Sequence, residues 1–183
     1  LFEQQWAETV GCKYAVFCNS GSSANLLMLY ALIAGNALKN KKVVVPALSW
    51  ITTISPIIQF SLTPILCDIN MDDLSIDLIE LERIFTEETP AACIIISVLG
   101  LVPNMEAIAD LCKEHGVLLL IDNCEGQGSK YKGKSIESYG LMSSCSTYFG
   151  HIMSVAPSTP IPYINKEGVF KIDSVSYIYE TYK

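Results

Sequence analysis

The chain has 183 residues, half of them hydrophobic and 17% charged, with a net charge of −7. That length supports one domain with a proper core, and the composition excludes a disordered chain and a coiled coil. The acidic balance argues against nucleic acid as a partner, although backbone N–H groups can still hold a single phosphate locally.

The seven cysteines are scattered and lack CxxC spacing. They read as free thiols in a reducing, cytoplasmic compartment rather than as a metal site. Residues 43–67 carry no charge. Pro46, Pro56 and Pro64 divide this stretch, so it reads as strand, helix and strand rather than as a membrane span. No signal-peptide pattern stands at the N-terminus.

In chain order, residues 1–10 are expected to be helical and residues 14–18 a short strand. A helix opens near Ser22 and ends close to Gly35. Residues 43–45 form a buried strand, a helix follows near residues 50–60, and residues 64–68 form the next strand. There Ile65 and Cys67 share one face and Leu66 takes the other. A helix over 77–85, a strand over 92–98, a helix over 105–115 and a strand over 117–121 continue the rhythm. Residues 130–134 read as an exposed turn and 142–147 as strand-like, and beyond Val155 the rhythm breaks into strand or loop. Alternation of this kind predicts an α/β fold with a mainly parallel sheet.

Ligands in such sheets collect beyond the carboxyl ends of the strands. Three segments fall there. Asn19-Ser20-Gly21-Ser22-Ser23-Ala24-Asn25 follows a strand and opens a helix. Gly21 allows close approach, and Ser22 and Ser23 bring hydroxyls and N–H groups to the positive helix end. Either a phosphate cradle or plain serine capping accounts for it. The absence of a lysine after the glycine excludes a nucleotide P-loop. Asp122-Asn123-Cys124-Glu125 follows an apolar strand. Asp122 there is either the partner of a cation or the cap of a turn. Ser146 and His151 form the third segment, where a lone histidine would ordinarily be structural. Trp50 ends a buried strand's loop and is either a stacking platform or a core residue. His115 ends a helix and suits its dipole without carrying chemistry.

NSGSSANLL at 19–27, VPALSW at 45–50, Asp122 and Ser146 occur in an order that resembles the DegT/StrS-type sugar-nucleotide aminotransferases. These are fold-type I enzymes using pyridoxal 5′-phosphate (PLP). Asp122-Asn123-Cys124-Glu125, Tyr139-Gly140-Leu141-Met142 and Tyr148-Phe149-Gly150-His151 are similar to the GDP-4-keto-6-deoxy-D-mannose 3-dehydratase branch. Aminotransferases of the family carry glutamine at the position of Glu125 and lysine at that of His151. No lysine lies between Lys134 and Lys166 here.

The resemblance implies a three-layer α/β/α sandwich. Residues 1–155 would be a partial PLP-binding large domain and residues 156–183 an atypical tail, with no C-terminal small domain. It implies that Gly21, Ser22 and Ser146 hold the cofactor phosphate and that Trp50 stacks on the ring. Asp122 would pair with the pyridine nitrogen, and Glu125 would lie near the ring hydroxyl. His151, titrating near roughly 6.5 when unperturbed, would be the general acid/base. Glutamate would convert PLP to pyridoxamine 5′-phosphate (PMP), and a nucleotide-linked 4-keto-6-deoxy sugar would lose its C3 hydroxyl. This chemistry belongs to deoxysugar biosynthesis for lipopolysaccharide O-antigen, in a cytoplasmic homodimer. A sugar-nucleotide aminotransferase is the alternative. A second is a catalytically silent fragment acting only in binding or assembly, to which the tail and the absence of a Glu-Gly-Gly segment after His151 point.

Overall fold

The computed structural model describes residues 1–148, 160–164 and 170–174. His151 therefore lies outside the described residues. The elements are α1 (Phe2–Val10), α2 (Gly21–Ala34), β1 (Lys42–Pro46), α3 (Ile51–Gln59), β2 (Thr63–Cys67), α4 (Leu78–Glu88), β3 (Ala92–Ile96), α5 (Met105–Glu114), β4 (Leu118–Asp122), β5 (Lys130–Tyr131), β6 (Lys134–Ser135), β7 (Met142–Ser144), β8 (Pro160–Ile164) and β9 (Phe170–Ser174).

Five strands form one parallel sheet in the order β2-β1-β3-β4-β7. Both faces are covered, as parallel sheets require. Alternate strand residues select the layer. Val44, Cys93, Ile95, Leu119 and Ile121 face α4 and α5. Val43, Val45, Ala92, Ile94 and Leu120 face α2 and α3. The expected α/β/α sandwich is thus present, and Leu66 points away from Ile65 and Cys67 as its position in β2 requires.

Helix starts follow local chemistry. Ser20 caps α2 by accepting from Ser23 N–H, Asp77 caps α4 by accepting from Glu80, and Asn104 caps α5 by accepting from Ala107. His115 caps the far end of α5 and packs edge-on against Phe85. The expected exposed turn is a tight hairpin, β5 and β6, whose two central residues, Lys132 and Gly133, take positive φ. That conformation matches the twist of a two-residue hairpin. β8 and β9 pair antiparallel, within the stretch expected to be strand or loop.

One expectation fails. Residues 14–18 form no ladder, and Tyr14, Val16 and Phe17 are exposed. Tyr, Val and Phe have strong strand preference, but preference without a neighbouring edge to pair with makes no strand. All seven cysteines are free, with Cys67, Cys93 and Cys112 in the core. No described helix is long and apolar enough to cross a membrane.

Leu81 is fully buried between α4 and the sheet. Leu81→Ala is expected to destabilise the protein by about 2–5 kcal/mol, read as a lowered urea midpoint with an unchanged m-value.

Candidate active site

The site begins where α2 leaves Ser20. The first turn of any helix carries N–H groups without intrahelical partners, and they favour an anion. Gly21 packs tightly against the sheet side of this turn. A Cβ built there would stand 2.6 Å from Cys124 Sγ and 3.1 Å from Ser146 Cβ. Glycine at 21 thus lets the helix start approach Ser146, and the Ser146 hydroxyl accepts from Tyr148 N–H at 3.1 Å. The structure therefore brings Gly21 and Ser146 together at one helix end. A cleft of about 380 Å³ opens beside them, between residues 14–18 and 143–148. Ser22, the next residue of α2, is exposed and does not line the cleft there.

One turn further along α2, on the same face as Gly21, Asn25 turns inward. Asp122 closes β4 and is 3% exposed. Its Oδ2 accepts from Asn25 Nδ2 at 2.6 Å and from Thr53 Oγ1 at 2.7 Å. Asn25 also donates to Thr52 O at 3.3 Å. That carbonyl is available because Pro56, four residues later in α3, has no N–H to offer it. Ser144 Oγ donates to Asn25 Oδ1 at 2.5 Å and lies 3.3 Å from Asp122 Oδ1. A hydroxyl has one proton, and the shorter contact takes it. Among the described residues Oδ1 accepts one long N–H bond, from Cys124 at 3.3 Å, and the Cys124 thiol also bonds to this carboxyl, so its acceptor capacity is only partly used.

The ion pairs among the described residues are Lys42–Glu88, Arg83–Glu80, Arg83–Glu87 and Lys132–Glu106. None involves Asp122. A buried carboxylate held by neutral donors, with one oxygen under-used, suits a cationic N–H partner. Asp122 does cap the following turn, through the Cys124 N–H, and it also takes donors from α2 and α3 that a turn cap alone would not need.

Trp50 is 54% exposed, so it is not a core tryptophan. Its Nε1 donates to Glu125 Oε1 at 2.7 Å, and Glu125 Oε2 accepts from Leu99 N–H at 2.8 Å. The indole is held by its edge, while much of the side chain stays accessible. Both oxygens of Glu125 are engaged within the protein, so the expected placement near a ring hydroxyl would require it to share a bonded oxygen.

Sequence reasoning placed Gly21, Ser22, Trp50, Asp122, Glu125 and Ser146 but gave no role to Asn25, Thr53 and Ser144. Two signals existed for them. Asn25 is a polar break four residues after Gly21 in an apolar helix, and Thr53 stands one turn after Trp50. Burial first, then the Asp122 charge, holds the Cys124 thiol above the ordinary range. No group of metal ligands occurs among the described residues.

Gly21→Ala is expected to destabilise the protein by about 1–3 kcal/mol through overpacking. Adding Cys124→Ala should restore part of that loss, a coupling read from a double-mutant cycle by urea denaturation. The thiols of Cys67 and Cys145 are pushed up to about 12, by burial before any charge, from the ordinary value of 9.0. The folded protein keeps these protons where the unfolded chain loses them. Stability is therefore expected to fall as pH climbs above about 9 towards 12, and alkylation at pH 8 should spare both thiols until unfolding.

The chain is 39% identical over 153 residues to GDP-4-keto-6-deoxy-D-mannose 3-dehydratase of Yersinia pseudotuberculosis, a match covering 82% of this chain and 39% of that protein. The E. coli GDP-4-keto-6-deoxy-D-mannose-3-dehydratase, solved with bound hydrated PLP, superposes with a TM-score of 0.77 at 37% identity, again over 82% of this chain and 39% of the other. A GDP-4-keto-6-deoxymannose-3-dehydratase with a trapped PLP-glutamate geminal diamine matches at a TM-score of 0.72 and 34% identity, over 81% and 39%. The chain thus spans about 39% of the length of these relatives. Residues 1–157 match the family model, and the chain belongs to the DegT/DnrJ/EryC1/StrS aminotransferase family.

Proposed function

We propose that residues 1–155 are the cofactor-binding part of a PLP/PMP-dependent 3-dehydratase. Its substrate would be a nucleotide-linked 4-keto-6-deoxy sugar, with glutamate as amino donor. The observation that carries this reading is Asp122, a buried carboxylate without a described cation, one helical turn from a glycine-lined helix start. A pyridine ring with a phosphate tail matches both ends of that arrangement. The N–H groups of Gly21 and Ser22 and the Ser146 hydroxyl would hold the phosphate. Asp122 Oδ1 would accept the ring N–H and favour its charged form. Trp50, anchored by Glu125, would cover the ring face and exclude water from it.

When bound, the cofactor supplies an electron sink for bond breaking next to an amine-bearing carbon. His151 in place of lysine supports the dehydratase branch. An imidazole can carry a proton at the cofactor C4′ atom but cannot tether the cofactor covalently. Relatives bearing the same dehydratase activity support the substrate class. A homodimer in the cytoplasm, with residues 156–183 as a separate tail, belongs to the same reading.

PLP titration followed by absorbance is expected to show saturable binding. Asp122→Asn should weaken it about tenfold or more, since a bond to a charged group is lost. Borohydride reduction of the loaded protein should leave no pyridoxyl group at position 151. A pyridoxyl group on a lysine would instead favour the aminotransferase reading. Folded protein that forms no PMP from glutamate and turns over no 4-keto sugar nucleotide would leave only a silent binding unit.

A further inference from the structure

The turn after β4 carries a second polar assembly, separate from the bonds to Asp122. Asn123 is fully buried. Its N–H donates to Ser144 O at 2.9 Å, and its Nδ2 donates to Gly126 O at 2.9 Å and to Glu137 Oε1 at 2.6 Å. Its Oδ1 accepts from Ser97 Oγ. Glu137 follows β6 in a short 3-10 segment, is 2% exposed and takes a further bond from Ser135 Oγ. It has no ion pair among the described residues.

A carboxylate is an acceptor only, and that fixes the Asn123 amide. Flipping the amide would set its carbonyl against two acceptors, Glu137 Oε1 and Gly126 O. The turn closes tightly on the fixed amide: a Cβ at Gly126 would lie 2.3 Å from Asn123 Oδ1 and 2.7 Å from Ser97 Oγ. Glu125 sits inside this same turn and leaves it to bind Trp50 and Leu99. Ser97 and Leu99 belong to the segment after β3, so Asn123 and Glu125 grip that segment at two points.

We infer that Glu137 is a positioning residue. Through Asn123 it fixes the 123–126 turn, and the turn sets where Glu125 holds the edge of Trp50. The consequence for cofactor affinity rests on the PLP reading above, whereas the position of Trp50 does not.

The chain has two tryptophans, so Trp6→Phe leaves Trp50 as the sole reporter. In that background, time-resolved fluorescence anisotropy of the cofactor-free protein compares the parent with Glu137→Met and Glu137→Gln. PLP dissociation constants follow from absorbance titration. The methionine variant keeps the volume but loses the acceptor. Its fast anisotropy decay is expected to grow at least about twofold and its PLP affinity to fall about fivefold or more. Glutamine keeps a carbonyl acceptor and should restore both to within about twofold of the parent. A folded methionine variant with the parent's anisotropy decay, or with the parent's PLP affinity, overturns the inference. Should that variant not fold, Asn123→Ala removes the amide through which Glu137 acts, and unchanged anisotropy there overturns the inference equally. A parent that binds no PLP sinks the cofactor reading, and the anisotropy comparison still decides the role of Glu137.

Discussion

The architecture of the site depends on one buried carboxylate and the amide that meets it. Asp122 ends the strand β4, yet its shortest hydrogen bonds come from α2 and α3 through Asn25 and Thr53. Removing a carboxylate from water costs several kcal/mol unless donors replace the water. Here the donors are neutral and belong to two helices, so those helices are fixed relative to the strand end. Hydrophobic burial alone would not do this for α2. Its sequence is apolar nearly all the way round, with Leu26, Leu27, Met28, Leu29, Tyr30, Leu32 and Ile33. Many rotations of such a helix bury comparable apolar area. Gly21 and Asn25 select one of them, because only that face can meet Ser146 and Asp122 together. Pro56 contributes by freeing the Thr52 carbonyl for the same amide.

Much of this fold was legible because apolar periodicity and capping residues are local signals. The buried run of β3, the nearly buried run of β1 and the near-continuous apolar run of β4 each announce themselves within a few residues, as does the serine cluster that opens α2. Residues 14–18 misled for the complementary reason. Their strand preference is local, while pairing depends on a partner edge that no local pattern reports. The same division runs through the site. Asp122 and Ser146 could be located by their position after strands, and Gly21 by its position at a helix start. Asn25 and Thr53 left only faint local marks and Ser144 none, because their roles are side-chain pairings across 97, 69 and 119 residues. Glu137 was hidden by being an acid in a polar loop, where an exposed position is the ordinary expectation.

Asp122, Glu125 and Glu137 are three buried acids that lie on or beside one turn, and no described ion pair includes any of them. Asparagine, serine, threonine, indole and backbone donors satisfy them instead. Neutral donors spread a negative charge without cancelling it, so the turn retains a field that favours a cation and repels a free anion. The helix start at Gly21 has the opposite sign, because its N–H groups point outward at the positive end of α2. The two fields are separated by a single turn of the same helix. A ligand suited to both must carry a cationic or proton-donating ring at one end and an anion at the other, at a spacing that the rigid helix sets. That polarity, more than the apolar layers beneath it, is what distinguishes this strand end from the rest of the sheet.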